Sequence, residues 1–155
     1  MSYKRILVPV DGSPTAAVGM LEAIKLAKEG GGKLLLLHVV EDYSAFVGPD
    51  AGVSIAPMLD ALRQTGQRVL GRIALRVERA GIKPQSVLVE NYGGRVADSI
   101  VEQAKRLRAD LIVMGTHGRR GVTRVLLGSD ADVVVRYSPV PVLLVPPRGR
   151  GKGRR

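Results

Sequence analysis

The sequence predicts a doubly wound α/β fold, in which an open parallel sheet of five strands carries helices on both faces. Apolar runs of strand length alternate with helical 3–4 periodicities along the chain. The run from Lys33 to Val40, KLLLLHVV, contains four successive leucines. Continuous apolar runs of this kind are typical of parallel strands that are covered on both faces. The alternation of strands and helices therefore indicates one doubly wound domain.

The first strand is predicted from Arg5 to Val10, where Asp11-Gly12 ends it. Ser13 is expected to cap the following helix, with Pro14 at the first helical position, where its missing N–H costs nothing. Gly30-Gly31-Gly32 ends this helix before the second strand. The 3–4 spacing predicts a buried helix face formed by Ala17, Met20, Leu21, Ile24 and Ala27.

An irregular connection from Glu41 to Ala56 is the longest in the chain, and it is either a lid over a site or variable surface. A long helix is predicted from Pro57 to Ala80. Gly66 and Gly71 each weaken it by about 1 kcal/mol relative to alanine. Its apolar face is predicted to consist of Leu59, Leu62, Val69, Leu70, Ile73 and Val77.

The second half of the chain repeats the alternation. The predicted elements are a strand from Ser86 to Tyr92, a helix from Arg95 to Arg108, a strand from Leu111 to Met114, a short helix from Ser129 to Tyr137 and a last strand from Val140 to Val145.

A glycine-rich loop follows the fourth strand. Glycine recurs at Gly115, Gly118, Gly121 and Gly128, and Ser129 is expected to cap the next helix. Glycine lets the backbone approach a ligand, and a helix N-terminus offers free N–H donors, so this arrangement suits a phosphate. The alternative is that these glycines only form a flexible turn.

Two loops are candidates for the place where doubly wound sheets bind ligands, beyond the carboxyl ends of strands at the point where the strand order reverses. One is Asp11-Gly12-Ser13, and the other runs from Gly115 to Gly128. If both flank the switch point, they form one pocket.

The spacing Gly115-x-x-Gly118, nine residues, then Gly128-Ser129 resembles the glycine pattern of the universal stress protein family. The resemblance extends over nearly the whole chain, through VPVDGS at 8–13, His38-Val39 and SPVPVLLV at 138–145. It implies an open five-stranded parallel sheet of Rossmann-like, adenine nucleotide alpha hydrolase-like type. Members with this glycine pattern typically bind ATP, so the resemblance also implies ATP as the ligand.

Carried over to this chain, the resemblance places Asp11 near the adenosine end and the backbone around Val39 at the adenine edge. A carboxylate there can bind ribose hydroxyls or a phosphate-bound cation, although Asp11 also suits a simple turn. The three loop arginines either pair with phosphates or are solvated. The predicted nucleotide-binding set is Pro9, Val10, Asp11, Ser13, Val39, Met114, Gly115, Thr116, His117, Gly118, Arg119, Arg120, Gly121, Arg124, Gly128, Ser129 and Asp130.

Asp130 departs from the family pattern, which usually has a small or apolar residue there. Its carboxylate complements the helix dipole but would repel a triphosphate. This favours a nucleotide whose phosphates are bridged by Mg²⁺ or Mn²⁺.

Several chemistries are excluded by the residues that are absent. The chain has no cysteine, which removes disulfides, thiol catalysis and Cys-ligated zinc. It contains no P-loop, no G-x-G-x-x-G and no G-x-S-x-G. His38 is interpreted as a core residue and His117 as a loop residue, without a carboxylate cluster that would form a metal site. We therefore expect no catalytic residues, and at most a slow ATPase.

The chain of 155 residues, 45% of them hydrophobic, fits a single domain over residues 1–147. The net charge is +10, and five positive charges fall within residues 148–155. We expect this segment to be a disordered basic tail. It can contact nucleic acid nonspecifically, but we do not expect this to be its function, because no aromatic residues are interleaved. Neither a signal segment nor a membrane span is predicted, so we expect a soluble cytoplasmic protein.

The expected function is that of an ATP-binding stress or signalling protein that acts through a nucleotide-dependent change of state. The alternative is an interaction protein of the same fold that binds AMP or no nucleotide. In both cases we expect a homodimer that is joined through Val140 to Val145, an apolar run that is chain-terminal and therefore predicted to form an edge strand.

Overall fold

The computed structural model describes residues 2–42, 52, 54–116 and 127–147. The predicted tail at 148–155 lies outside these residues, so the domain boundary at residue 147 stays a prediction. The elements are β1 (Arg5–Pro9), α1 (Pro14–Gly30), β2 (Lys33–Asp42), α2 (Ala56–Arg79), β3 (Gln85–Tyr92), α3 (Val96–Arg106), β4 (Leu111–Gly115), α4 (Ser129–Tyr137) and β5 (Val142–Val145).

The five strands form one sheet in the order β3-β2-β1-β4-β5. Every strand pairing is parallel. The chain moves outward from β1 to β3 and then crosses to β4 on the other side of β1, so the strand order reverses between β1 and β4. The predicted doubly wound fold is confirmed, and β5 lies at an edge of the sheet as predicted.

Two apolar layers explain why the strands have continuous hydrophobic runs. Successive side chains of a strand point to opposite faces. Ile6 and Leu34 therefore pack into the layer that contains the buried residues of α1 and α2. Leu7 and Leu35 pack into the layer beneath α3 and α4. Because both faces are covered, the central strands carry mainly apolar side chains.

Helix α1 has the predicted start and end, and Met20, Ile24 and Ala27 of its predicted face are buried. Ser13 caps it by accepting a hydrogen bond from the Ala16 amide, and Gly31 ends it with a φ of 64°. Leu21, predicted to be buried, is 42% exposed. The buried face also includes Gly19 and Ala23, where small residues let α1 lie close to the sheet.

Gly66 occupies a close contact between α2 and β2 that its sequence position does not indicate. A Cβ at residue 66 would lie 2.6 Å from His38 Cδ2 and 2.7 Å from Leu88 Cδ1. The half-buried His38 donates from Nδ1 to the Val10 carbonyl at 2.8 Å. The geometry agrees with the interpretation of His38 as a core residue, and Gly66 leaves room for its ring.

Strand β2 continues past its predicted end at Val40. Glu41 and Asp42 pair with Asn91 and Tyr92 of β3, so part of the expected irregular connection is strand. Residues 43–51 and 53 lie outside the described residues. In the part of the chain that the structure covers, no helix is long and apolar enough to cross a membrane.

Candidate functional site

A cavity of about 210 Å³ opens at the carboxyl ends of β1 and β4, where the strand order reverses. Of the predicted set, it is lined by Pro9, Val10, Asp11, Ser13, Val39, Met114, Gly115 and Asp130. The two candidate loops therefore do flank the switch point, and the described parts of both contribute to one cavity.

The β1–α1 turn fixes the polar groups at one side of this cavity. Asp11 Oδ1 accepts a hydrogen bond from the Ser13 amide at 2.8 Å, and Ser13 Oγ accepts from the Ala16 amide at 3.1 Å. Gly12, between them, has a φ of 82°, a conformation that glycine adopts without strain. The exposed Asp11 carboxylate is thus held in place at the cavity entrance.

Gly115 has a packing role that was not predicted. A Cβ at this position would lie 1.9 Å from the Thr15 carbonyl oxygen, and a Cβ at Gly19 would lie 2.7 Å from the Gly115 nitrogen. Both distances are far below van der Waals contact. Gly115 is required where β4 meets the first turns of α1, whatever it also contacts in the cavity.

The prediction that Ser129 caps α4 is wrong. The N-cap is Gly128, in an extended conformation, and no side chain makes a cap hydrogen bond. Ser129 is the first helical residue, because the chain enters the helix one residue earlier than the serine pattern suggests. Glycine is an acceptable N-cap. Among the described residues, no side chain therefore caps the first amides of α4.

The described cavity lining is acidic. Three carboxylates line it, those of Asp11, Glu41 and Asp130, and no arginine or lysine is among the described lining residues. Carboxylates accept hydrogen bonds from hydroxyl and amine donors but repel phosphate oxygens. This part of the cavity suits the uncharged portion of a nucleotide, and phosphates beside Asp130 would need a cation.

Apolar side chains form the remaining walls. Leu37 and Val39 belong to β2, Val96 and Ile100 to α3, and Ala131 to α4. Apolar walls with a few convergent polar groups are typical of small-molecule sites. Sequence reasoning missed most of these wall residues, together with Thr15, Ala16 and Glu41. Only the strand register and the positions of the α3 and α4 helices bring them together.

Three predicted residues are described but do not line the cavity. Gly128 and Ser129 lie at the start of α4. Thr116 is 3% exposed, and its amide donates to the Val145 carbonyl at 2.9 Å. The Thr116 hydroxyl has no hydrogen-bond partner among the described residues. The other predicted residues, His117, Gly118, Arg119, Arg120, Gly121 and Arg124, lie outside the described residues.

Metal binding was expected only through the phosphates of the nucleotide. Within the described ranges, no group of three or more His, Asp or Glu side chains is arranged to hold a metal ion.

These features define a Rossmann-like α/β protein with a ligand cavity at its topological switch point. Comparison with known proteins identifies the family. The Universal stress protein family model matches residues 2–146. The chain belongs to the universal stress protein family.

Relatives and solved structures agree with this membership. Universal stress protein MJ0531 of Methanocaldococcus jannaschii is 39% identical over 143 residues, which are 92% of this chain and 82% of that protein. The solved structure of universal stress protein UspA from Lactobacillus plantarum has a TM-score of 0.78 at 28% identity, covering 94% of this chain and 99% of that one. A universal stress protein family structure from Burkholderia pseudomallei has a TM-score of 0.76 at 33% identity, covering 94% and 97%.

Three more distant structures share the fold and contain adenine nucleotides. A universal stress protein in complex with cAMP has a TM-score of 0.67 at 24% identity, covering 94% of this chain and 98% of that one. The Archaeoglobus fulgidus protein in complex with dAMP has a TM-score of 0.64 at 21% identity, covering 94% and 99%. The Arabidopsis thaliana protein with AMP bound has a TM-score of 0.67 at 20% identity, covering 94% and 93%.

Proposed function

We propose that this chain binds an adenine nucleotide in the cavity beyond β1 and β4 and acts in stress response or signalling through a nucleotide-dependent change of state. The observation that carries the proposal is the position of the cavity at the switch point, between an apolar wall and the fixed Asp11 carboxylate. The cAMP, dAMP and AMP complexes on the same fold support adenine as the base.

In the proposed orientation the adenosine part occupies the described cavity. The base lies against Val39 and Ile100, and Asp11 accepts hydrogen bonds from the ribose hydroxyls. The phosphates extend toward the N-terminus of α4, where no described side chain caps the amides and where the helix dipole favours anions. His117, Gly118, Arg119, Arg120, Gly121 and Arg124 stay the predicted phosphate ligands in the segment that follows β4.

ATP with Mg²⁺ or Mn²⁺ is the proposed ligand, because a cation on the phosphates offsets the Asp130 carboxylate. A second candidate is AMP, which the acidic lining favours since a monophosphate brings fewer charges near Asp11, Glu41 and Asp130. In either case the proposed output is the bound state, with hydrolysis slow or absent.

Titration calorimetry tests which nucleotide binds. The affinities for ATP with Mg²⁺, for AMP and for GTP with Mg²⁺ are compared at one ionic strength. We expect the adenine nucleotides to bind and GTP to bind at least about tenfold more weakly, a loss typical of unmatched base-edge hydrogen bonds. Asp11→Asn should lower the affinity for both adenine nucleotides. Its matched control is Asp132→Asn, which removes a carboxylate that pairs with Arg136 at 3.0 Å outside the cavity. Equal affinity for every nucleotide, or no binding at all, would reject the proposal.

We also propose that the protein is a cytoplasmic homodimer joined through β5. The strand is at the sheet edge, and apolar side chains stand exposed on it and on the neighbouring helix, namely Leu143 at 36%, Val135 at 46% and Tyr137 at 62%. Exposed apolar edges favour pairing. Light scattering of Val142→Lys/Leu144→Lys should report a monomer or an aggregate, and a well-folded dimer would place the interface elsewhere.

A further inference from the structure

A second cavity lies on the opposite side of the β1–α1 turn, between α1 and α2. Its volume is about 420 Å³, within the range of about 300–1,000 Å³ that is usual for small-molecule sites. Ala17 and Met20 of α1 and Ile73 of α2 form its apolar floor, and the guanidinium-bearing residues Arg72, Arg76 and Arg79 complete its α2 side.

The arginines belong to a longer series on one face of α2. Arg68, Arg72, Arg76 and Arg79 are spaced at i, i+4, i+8 and i+11, which places them side by side. All four are exposed. Like charges at these spacings destabilise a helix, so the series has an unfavourable energy unless anions neutralise it.

The described part of the protein does not supply those anions. The ion pairs found there use Lys25, Arg63, Arg95 and Arg136 as cations. Glu22 of α1, the helix facing the series, pairs with Lys25 at 2.8 Å. Among the described residues, Arg72, Arg76 and Arg79 have no ion-pair partner, and their guanidiniums line one concave, partly apolar cavity.

We propose that this cavity, the arginine cavity, binds a small organic anion, with an oxyanion group on the guanidiniums and an apolar body on the floor. Guanidinium groups bind phosphate and carboxylate oxygens in a bidentate manner. The floor adds affinity for an apolar body that a bare inorganic ion lacks. A concave site between two helices fits a small molecule better than a flat surface of a macromolecule does.

The arginine cavity is separate from the candidate nucleotide cavity. The two have Val10, Ser13 and Ala16 in common as dividing-wall residues, but no carboxylate is among the described residues that line the arginine cavity. The proposal therefore does not rest on nucleotide binding, and either one can fail alone.

Calorimetry with phenyl phosphate as the probe tests the proposal on the full-length protein, with inorganic phosphate and benzyl alcohol titrated in parallel. Phenyl phosphate should bind more tightly than both. Arg72→Gln/Arg76→Gln should weaken it by about tenfold or more, since hydrogen bonds to charged groups are lost. The matched control, Lys105→Gln/Arg106→Gln, removes the same charge from exposed positions on α3 and should change the affinity less than twofold.

A second variant tests the floor without changing any charge. Ala17→Leu fills the cavity beside the intact arginines. The affinity for phenyl phosphate should therefore fall, while the affinity for inorganic phosphate should not change. Melting curves of all variants establish that they are folded.

Equal losses in the two double variants would overturn the proposal, because the effect would then be general electrostatics. It would also be overturned if AMP displaced the probe while Arg72→Gln/Arg76→Gln had no effect, which would place the probe in the nucleotide cavity. Binding of a short DNA duplex to the arginine face with no binding of phenyl phosphate would overturn it in favour of a macromolecular surface.

Discussion

The two cavities beside the β1–α1 turn have opposite electrostatic character although they share part of their walls. On the α3 and α4 side the lining includes Asp11, Glu41 and Asp130. On the α2 side it includes Arg72, Arg76 and Arg79. The shared strand and turn residues contribute little to this difference. The three arginines all come from α2, whereas the carboxylates come from the β1–α1 turn, from β2 and from α4.

We expect the largest effect on stability from a change at Gly115, where β4 contacts the first turn of α1. Gly115→Ala places a methyl group against the Thr15 carbonyl, and overpacking of this kind costs about 1–3 kcal/mol or more. We expect a lower melting temperature together with weaker nucleotide binding, because α1 must move. Chemical denaturation and calorimetry measure both.

Gly71→Ala is the matched control, since a Cβ at residue 71 has no atom within 4 Å. It should stabilise α2 by about 1 kcal/mol through helix propensity. A Gly115→Ala protein as stable as the wild type would contradict the packing role of Gly115.

On the acidic side, a substitution of Asp130 tests whether its carboxylate repels the phosphates of ATP. Asp130→Asn should raise the affinity for ATP several-fold and leave the affinity for adenosine unchanged. The reason is that removal of one nearby like charge is worth about 1 kcal/mol at a partly solvated site. Asp132→Asn, two residues further along the same helix turn, is the control for helix-dipole effects. If the two variants bound ATP equally, local repulsion by Asp130 would be excluded.

Arg72→Glu tests the basic side by separating stability from binding. It converts the like-charge pairs with Arg68 and Arg76 into attractive i,i+4 pairs, which should raise the free energy of unfolding by about 1 kcal/mol at low salt. Phenyl phosphate binding should be lost in the same variant. A stabilised variant that still bound the probe would show that the arginine face is only solvated.

The smallest effect is expected where α2 contacts β3, away from both cavities. Arg63 pairs with Glu90 and also with Asp60, at 2.8 Å in the second case. Its hydrogen bonds hold the pKa of the Glu90 carboxyl below the usual 4.5. Because this folded-state pKa is depressed, the stabilisation is present above the unfolded pKa and is lost as the pH falls through the folded value.

Glu90→Gln should therefore flatten the acid limb of a plot of stability against pH, below about pH 4.5. Neither nucleotide nor phenyl phosphate affinity should change at neutral pH. An unaltered acid limb, measured by denaturation at several pH values, would show that the pair contributes nothing to stability.

The sequence alone determined the order of the elements and offered two loops as candidates for the site. These features depend on local signals, namely continuous apolar runs, the Ser13-Pro14 helix start and the glycine stop at Gly31. The edge position of β5 also followed, since the last strand of a doubly wound sheet usually lies outside. Local signals can be read from a sequence because neighbouring residues alone produce them.

Only the tertiary structure decided which residues face one another. The close approach of Gly115 to Thr15, the space that Gly66 leaves for His38 and the exposure of Leu21 all depend on how closely a helix packs on the sheet. No periodicity specifies that distance. The sequence shows only that the arginines of α2 recur along one helix face, and they line a cavity because α1 packs beside them.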